Sequence, residues 1–143
     1  MSHPTDPSCI FCKIIAGQVP CHRVYEDDRV LAFLDIGPLS RGHTLVIPKG
    51  HWETLDEVPQ EVAGACGRLL PRLGRAVRAA SGAAAWNVLQ NNGKLAHQAV
   101  SHVHFHIIPK TAESGLDIAW PAGKLADDEA KRLVEGIGKA LKG

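Results

Sequence analysis

The stretch His102-Val103-His104-Phe105-His106-Ile107-Ile108-Pro109 places three histidines at alternate positions in an otherwise apolar run. β-Branched and aromatic residues that end at a proline predict a β-strand. Successive side chains of a strand point to opposite faces, so the three imidazoles share one face at a spacing of roughly 6.6 Å. Val103, Phe105 and Ile107 then point into the core. The three titratable rings predict a site at which a ligand is held or attacked.

Three interpretations of the aligned imidazoles stay open at this point. A hydrolytic zinc site needs three rings that converge at about 2 Å from one ion, and three rings along one extended strand are strained in that arrangement. Nucleophilic attack on phosphorus by the middle ring, His104, needs only that its neighbours hold it and contact the transferred group. A solvated sheet face that happens to be rich in histidine is disfavoured by the strict alternation.

The loop that enters the histidine strand favours phosphoryl chemistry. Asn91-Asn92-Gly93 and His97-Gln98 flank this short connection. Such a loop can turn backbone N–H groups and a glutamine amide toward phosphate oxygens, as anion-binding nests do.

Composition excludes several classes of protein. The 143 residues fit one domain, and a formal net charge of +1 with interspersed charges gives no sign of a nucleic-acid or membrane partner. The sequence has neither an apolar run long enough to span a membrane nor a signal-peptide pattern, so we expect a cytoplasmic protein. The four cysteines are too few for a secreted disulfide scaffold, and Cys9 and Cys12 form a Cys-x-x-Cys.

The hydrophobic pattern predicts an α+β fold, in which one long helix and short terminal helices pack on a five-stranded antiparallel sheet. Residues 1–8 lack periodicity and are expected to form a flexible leader before a single domain over residues 9–143. The predicted strands cover 23–26, 30–34, 44–47, 86–90 and 100–108. The predicted helices are a short one that ends near Gly17, a long one from Pro59 to Gly82 that Pro71 should kink, and a last one over about 127–141.

Residues 102–108 match the signature of the histidine-triad (HIT) nucleotide-binding family, in which three histidines alternate with apolar residues. The chain resembles this family over most of its length, in four segments: 9–15, 31–36, 42–49 and 91–109. It looks like the adenosine 5′-monophosphoramidase branch, and residues 87–94 with Ala96-His97-Gln98 are similar to fungal-type members. The resemblance implies a homodimer of HIT domains.

The resemblance also implies a reaction. An adenosine 5′-phosphoramidate would be cleaved at its P–N bond to AMP, through a covalent nucleotidyl-histidine on His104 that water then resolves. His106 would contact the α-phosphate and orient the leaving group, and His43 would support the triad from behind. Gln98 would hydrogen-bond near the scissile bond. No cofactor is implied for the chemical step.

A purine nucleotide (AMP, GMP or a phosphoramidate conjugate) is the implied ligand. Asn91 and backbone donors over His97, Gln98 and Ala99 would surround its phosphate, and Asp35 would accept from the ribose hydroxyls. The purine slot would be lined by Ile10, Phe11, Ile14, Phe33 and Ile36. Each of these roles has a structural alternative: Asp35 can cap the turn into Gly37-Pro38, Asn91 can be a turn residue, and Phe33 and Ile36 can be core residues.

The loop before the histidine strand departs from the family pattern at two positions. Many relatives have Gly-Gln-Ser where this chain has His97-Gln98-Ala99. A missing neutral hydrogen bond is worth about 0.5–1.5 kcal/mol, so the lost hydroxyl at Ala99 predicts a weaker phosphate contact and an active enzyme.

Trp120-Pro121 is similar to a pair that relatives present near a partner subunit's site, although the sequence alone favours a packed surface loop.

Some HIT proteins with this N-terminal pattern bind structural zinc, and the resemblance places the ligands at Cys9, Cys12, His51 and His102. The alternative is a pair of reduced thiols, with His51 exposed and His102 only supporting His104. Two other functions also stay open, a nucleotide-binding interaction module with incidental turnover and a zinc-dependent hydrolase.

Overall fold

The computed structural model describes residues 3–143, and Met1 and Ser2, which belong to the predicted leader, lie outside this range. The helices are α1 (Ile10–Ile15), α2 (Gln60–Ser81) and α3 (Asp127–Lys142). The strands are β1 (Arg23–Glu26), β2 (Val30–Leu34), β3 (Thr44–Pro48), β4 (Ala85–Gln90) and β5 (Phe105–Lys110). They form one antiparallel sheet in the order β1-β2-β3-β5-β4, which confirms the predicted α+β class.

The two faces of the sheet are covered by different helices. On one face, Val30, Ala32, Val46 and Ile107 pack against the apolar stripe of α2, as the alternation of strand side chains requires. On the other face, α1 packs on the remaining residues of the central strands. Because β3 is covered on both faces, all five of its residues are buried, and all of them except Thr44 are apolar.

The strand that carries the histidines begins later than predicted. β5 starts at Phe105, so His102 and His104 precede it, and it continues through Pro109 to Lys110. The physical reason is that Phe105 pairs with Gln90, the last residue of β4, and with Val46 of β3. Pairing with both neighbours stops there, although β3 itself continues to Pro48. The preceding segment is held instead by Val103, whose N–H donates to the carbonyl of Trp52 at 2.8 Å. The alternation in sequence therefore predicted the face of the rings correctly but not the extent of the strand.

The long helix agrees with its predicted bounds. α2 begins directly after Pro59, continues through Pro71, and ends before Gly82, which has the left-handed φ of 78° expected of a helix stop. No helix within residues 3–143 combines the length and the apolar character needed to cross a bilayer.

The N-terminal segment contacts the rest of the domain, whereas the C-terminal helix is exposed. The carbonyl of Pro4 accepts a 2.7 Å hydrogen bond from the N–H of His51, so the described part of the leader contacts the body of the domain. Helix α3 has no buried residue, and its apolar residues Leu133, Ile137 and Leu141 are exposed, with Leu141 at 81%.

Candidate active site

A cavity of about 390 Å³ lies on the α1 face of the sheet, in front of the histidine segment. Two predicted catalytic rings, those of His104 and His106, line it with centroids 4.9 Å apart. The polar residues that complete its wall are His43, Asn91 and His97. Its other lining residues are Leu39, Leu89, Ala99, Ile108 and Leu116.

The ring of His104 is held in one tautomer. Its Nδ1 lies 2.7 Å from the carbonyl oxygen of His102. A carbonyl can only accept, so Nδ1 carries the proton and Nε2 carries the lone pair of the neutral ring. Burial lowers the pKa of His104 from its ordinary value and keeps the ring neutral near pH 7. Phe11 packs edge-on against this ring at 5.2 Å.

A second chain of hydrogen bonds fixes the proton of His106. The N–H of Leu39 donates to His43 Nδ1 at 3.1 Å, so the proton of neutral His43 is on Nε2. His43 Nε2 lies 2.9 Å from His106 Nδ1 and donates to it. His106 therefore carries its own proton on Nε2. Burial lowers the pKa of His43 and lowers the pKa of His106 to about 4, so both rings are neutral at pH 7.

These two sets of hydrogen bonds give the neighbouring rings of His104 and His106 opposite hydrogen-bonding roles. The Nε2 of His104 is a free base, whereas the Nε2 of His106 is a hydrogen-bond donor. A nucleophile beside a donor is the arrangement that attack on a phosphate ester or amide requires.

Asp35 has two contacts, one with each carboxylate oxygen. Its Oδ1 accepts a 2.8 Å hydrogen bond from the N–H of Gly37, which is the turn cap considered as the structural alternative. Its Oδ2 lies 3.5 Å from His43 Nε2. The carboxylate thus closes the turn and also contacts the ring behind His106.

The amide of Gln98 is fully used by backbone groups. Its Oε1 accepts from the N–H of Gly93 at 2.7 Å, and its Nε2 donates to the carbonyls of Glu53 and Val100 at 2.7 and 3.0 Å. The side chain is buried and is absent from the cavity wall, which its neighbours His97 and Ala99 line. In this structure Gln98 shapes the loop and has no donor or acceptor turned toward the cavity.

The residues expected to line a purine slot are divided between core and surface. Phe11, Ile14 and Phe33 are buried in the cluster under α1. Ile10 is 43% exposed and Ile36 is 90% exposed, so the core alternative does not hold for Ile36. None of the five lines the cavity, whose apolar wall is made by other side chains.

Three leucines of the cavity wall were not predicted from the sequence. Leu89 pairs with His106 across β4 and β5, so correct pairing of those two predicted strands would have identified it. Leu39 and Leu116 lie outside regular structure, and no periodicity points to them.

A second cluster lies beside the cavity and contains the four predicted metal ligands. One donor atom from each of Cys9, Cys12, His51 and His102 lies within 4.8 Å of the other three. The Nδ1 atom of His102 is 3.4 Å from Cys9 Sγ, 3.7 Å from Cys12 Sγ and 3.2 Å from His51 Nδ1. A tetrahedral zinc site with bonds of about 2.0–2.3 Å has ligand-to-ligand distances of roughly 3.3–3.8 Å, so the cluster fits this ion.

The outer nitrogens of the two histidines support the same fit. His102 Nε2 donates to the carbonyl of Pro48 at 2.9 Å, and His51 Nε2 faces the carboxylate of Asp6 at 3.8 Å. The hydrogen bond to Pro48 leaves His102 Nδ1 unprotonated toward the cluster, as outer partners of metal ligands do, and the carboxylate of Asp6 lies on the outer side of the His51 ring. Burial raises the pKa of Cys9, so its thiol stays protonated unless a cation compensates the charge of the thiolate.

Comparisons with known proteins agree with this geometry. The HIT domain profile matches residues 16–113. The chain is 49% identical over 136 residues to the adenosine 5′-monophosphoramidase of Schizosaccharomyces pombe, covering 94% of this chain and 99% of that protein. It is 43% identical over 146 residues to the adenosine 5′-monophosphoramidase of Saccharomyces cerevisiae, covering 100% and 90%.

Solved structures show the same fold. A hypothetical protein from Leishmania major is 55% identical, with a TM-score of 0.83 over 92% of this chain and 97% of that one. A zinc-bound histidine triad family protein from Mycobacterium smegmatis is 34% identical, with a TM-score of 0.70 over 94% and 96%. The match of profile, sequence and fold shows that this chain belongs to the HIT domain family.

Proposed function

We propose that this protein is an adenosine 5′-monophosphoramidase, which hydrolyses P–N bonds of adenosine 5′-phosphoramidates and releases AMP. The observation that carries this proposal is the pair of neighbouring rings, one presenting a free Nε2 (His104) and one presenting an Nε2–H (His106), at the same cavity. Two fungal relatives at 43% and 49% identity bear the name of this activity, which supports the proposed substrate class.

In the first step, the lone pair of His104 Nε2 forms a bond to the α-phosphorus. The bond from phosphorus to the leaving nitrogen breaks, and its electron pair departs with the amine, which takes up a proton. The product is a nucleotidyl-imidazolium whose Nδ1–H still donates to the carbonyl of His102, so this carbonyl stabilises the positive charge as it develops.

In the second step, water attacks the same phosphorus. Its hydroxyl remains on the phosphate to give AMP, its other proton is released, and the N–P electron pair returns to His104 Nε2. Throughout, the Nε2–H of His106 would donate to a phosphate oxygen. The hydrogen bond that His43 donates to Nδ1 of His106 keeps the proton of His106 on Nε2.

We further propose that the four-residue cluster binds a structural zinc ion. Cys9, Cys12, His51 and His102 would hold it, which would tie α1 and the loop after β3 to the segment that carries the triad. Bound zinc would cross-link these elements, and no ligand of the cluster is the proposed nucleophile. The zinc-bound neighbour from Mycobacterium smegmatis supports the presence of such sites in this fold.

A homodimer is the proposed assembly. β4 is an edge strand of the sheet, and the C-terminal segment exposes Trp120 at 81% and Leu125 at 66%. A second copy of the chain would remove this apolar surface from water. Light scattering of the purified protein should give the mass of two chains; a monomer mass at micromolar concentration would contradict this assembly.

The activity is tested by mixing the protein with an adenosine 5′-phosphoramidate and measuring AMP release. We expect turnover by the unaltered protein, and a loss of at least about 100-fold in His104→Ala. His22→Ala is the matched control, because His22 is exposed and lies outside the cavity wall. Normal turnover by His104→Ala would contradict the mechanism. Tight nucleotide binding without AMP release by the unaltered protein would indicate a binding module instead.

A further inference from the structure

His97 has a backbone conformation that its residue type seldom adopts. Its φ of 66° is left-handed, and within residues 3–143 it is the only residue other than glycine with a positive φ. This conformation costs on the order of 1 kcal/mol for a residue with a Cβ, and glycine adopts it freely. A side chain retained at such a position points to a use for that side chain.

The backbone at His97 is pinned by its loop. Its N–H donates to the carbonyl of Lys94 at 3.0 Å, and its carbonyl is 3.5 Å from Nδ2 of Asn91. The next residue, Gln98, exchanges hydrogen bonds with Gly93 through both its backbone N–H and its side-chain oxygen. The loop therefore fixes the point from which the imidazole projects.

The imidazole of His97 lines the same cavity as His104 and His106. In contrast to those rings it is exposed, and no protein group within residues 3–143 hydrogen-bonds to its nitrogens. His104 and His106 are committed to the phosphate in the proposed mechanism, and Asn91 is turned toward the loop carbonyl. His97 is then the polar side chain of the cavity wall that remains available to contact the leaving amine of the substrate.

The lack of acidic residues in the cavity wall indicates which kind of chemical group this ring would bind. No aspartate or glutamate is among the residues that line it. The nearby carboxylate of Asp35 is directed to Gly37 and to the ring of His43. No carboxylate in the wall would repel an anionic group in this cavity, and an imidazole N–H makes its strongest hydrogen bonds to anionic oxygens.

We propose that His97 is a specificity-determining residue that binds an anionic group on the leaving amine, so that the preferred substrates are AMP amidates of amines that carry a carboxylate. This inference rests on the proposed phosphoramidase activity. It assigns to the side chain of His97 a role separate from the backbone contacts expected of this loop.

The test compares two substrates that differ by one charge: the AMP amidate of a straight-chain alkylamine, and the AMP amidate of the ω-amino acid of equal length. The ratio of their kcat/KM values is measured for the unaltered protein and for His97→Gly. Glycine removes the ring and keeps the left-handed backbone without strain, so the loop should stay in place. Lys94→Ala is the matched control for loss of a nearby cation.

We expect the unaltered protein to prefer the carboxylate substrate. His97→Gly should reduce that ratio by about threefold to tenfold, the effect of one partly solvated hydrogen bond to a charged group, and Lys94→Ala should leave it unchanged. An unchanged ratio in His97→Gly, or an equal loss on both substrates, would overturn the inference while the phosphoramidase proposal stands. Absence of turnover of either substrate by the unaltered protein would overturn both.

Discussion

The Nε2 atom of His43 lies 2.9 Å from the Nδ1 atom of His106, and the proton between them belongs to His43. The assignment follows from the opposite edge of the His43 ring, where the N–H of Leu39 donates to Nδ1. The backbone amide of Leu39 thereby determines which nitrogen of His106 can donate to a ligand.

Replacing His43 by alanine should lower kcat more than it raises KM. Without its partner, His106 can place its proton on either nitrogen, and a fraction of molecules would present a lone pair to the phosphate. For metal-bound histidines, loss of the group that fixes the ring tautomer costs roughly 10–100-fold, and we expect a loss of that size here. Steady-state kinetics with an adenosine phosphoramidate measures the effect. An increase in KM alone would show that His43 contributes only to binding.

Asp35→Asn should have a smaller effect than His43→Ala. An asparagine oxygen can still accept from the N–H of Gly37, so the turn is preserved, but the charge 3.5 Å from His43 Nε2 is lost. We expect kcat to fall by less than about tenfold and the unfolding temperature to change little. A loss as large as that of His43→Ala would give the carboxylate a direct catalytic part.

Gln98→Ala should act through the loop and destabilise the protein. The substitution leaves the carbonyls of Glu53 and Val100 and the N–H of Gly93 without their partner. Unsatisfied buried groups cost about 1–3 kcal/mol each, reduced here by access of water to the loop. Hydrogen exchange should accelerate over residues 91–99. Unchanged exchange with lost turnover would instead support a direct role at the scissile bond.

Metal content tests the zinc proposal. The purified protein should contain about one zinc per chain, and Cys9→Ser or Cys12→Ser should lose it and unfold at a lower temperature. Cys21→Ser is the control, because Cys21 lies outside the cluster. Full metal content in the two serine variants, or equal stability with and without a chelator, would contradict a structural site at these residues.

Stability should fall as the solution becomes acidic. The pKa of His106 is lowered to about 4 by burial, whereas a histidine in the unfolded chain titrates near 6.5. Below pH 6.5 the unfolded chain therefore binds a proton that the folded chain does not, and stability present above 6.5 is lost progressively toward pH 4.

Urea unfolding at several pH values between 7.5 and 4.5 measures this loss. His106→Gln should reduce the slope of stability against pH, and His22→Gln should change it less, because His22 is exposed. A slope in His106→Gln as steep as in the unaltered protein would show that the burial of this ring is not its source.

Much of the fold followed from local patterns in the sequence. The apolar spacing of α2 and the left-handed stop at Gly82 both appear as predicted, because a helix stripe and a glycine end depend on neighbouring residues alone. The extent of the histidine strand did not follow, since β4 ends at Gln90 and the segment before Phe105 no longer pairs with β3, which itself continues to Pro48.

The site was predicted unevenly for a related reason. Alternation placed His104 and His106 side by side, and the structure brings both to one cavity. The family pattern could not show that the amide of Gln98 is consumed by backbone groups or that Leu116 enters the wall. Those facts depend on loop conformations, which carry no periodicity in the sequence.

The proposed mechanism requires that His104 Nε2 becomes bonded to phosphorus during turnover. Rapid acid-free quenching after mixing with an adenosine phosphoramidate, followed by peptide mass spectrometry, locates any nucleotidyl group. The mechanism predicts an AMP adduct on His104 that forms and decays at rates compatible with turnover, and no adduct in His104→Ala. An adduct on another residue, or undiminished turnover by His104→Ala, would contradict it.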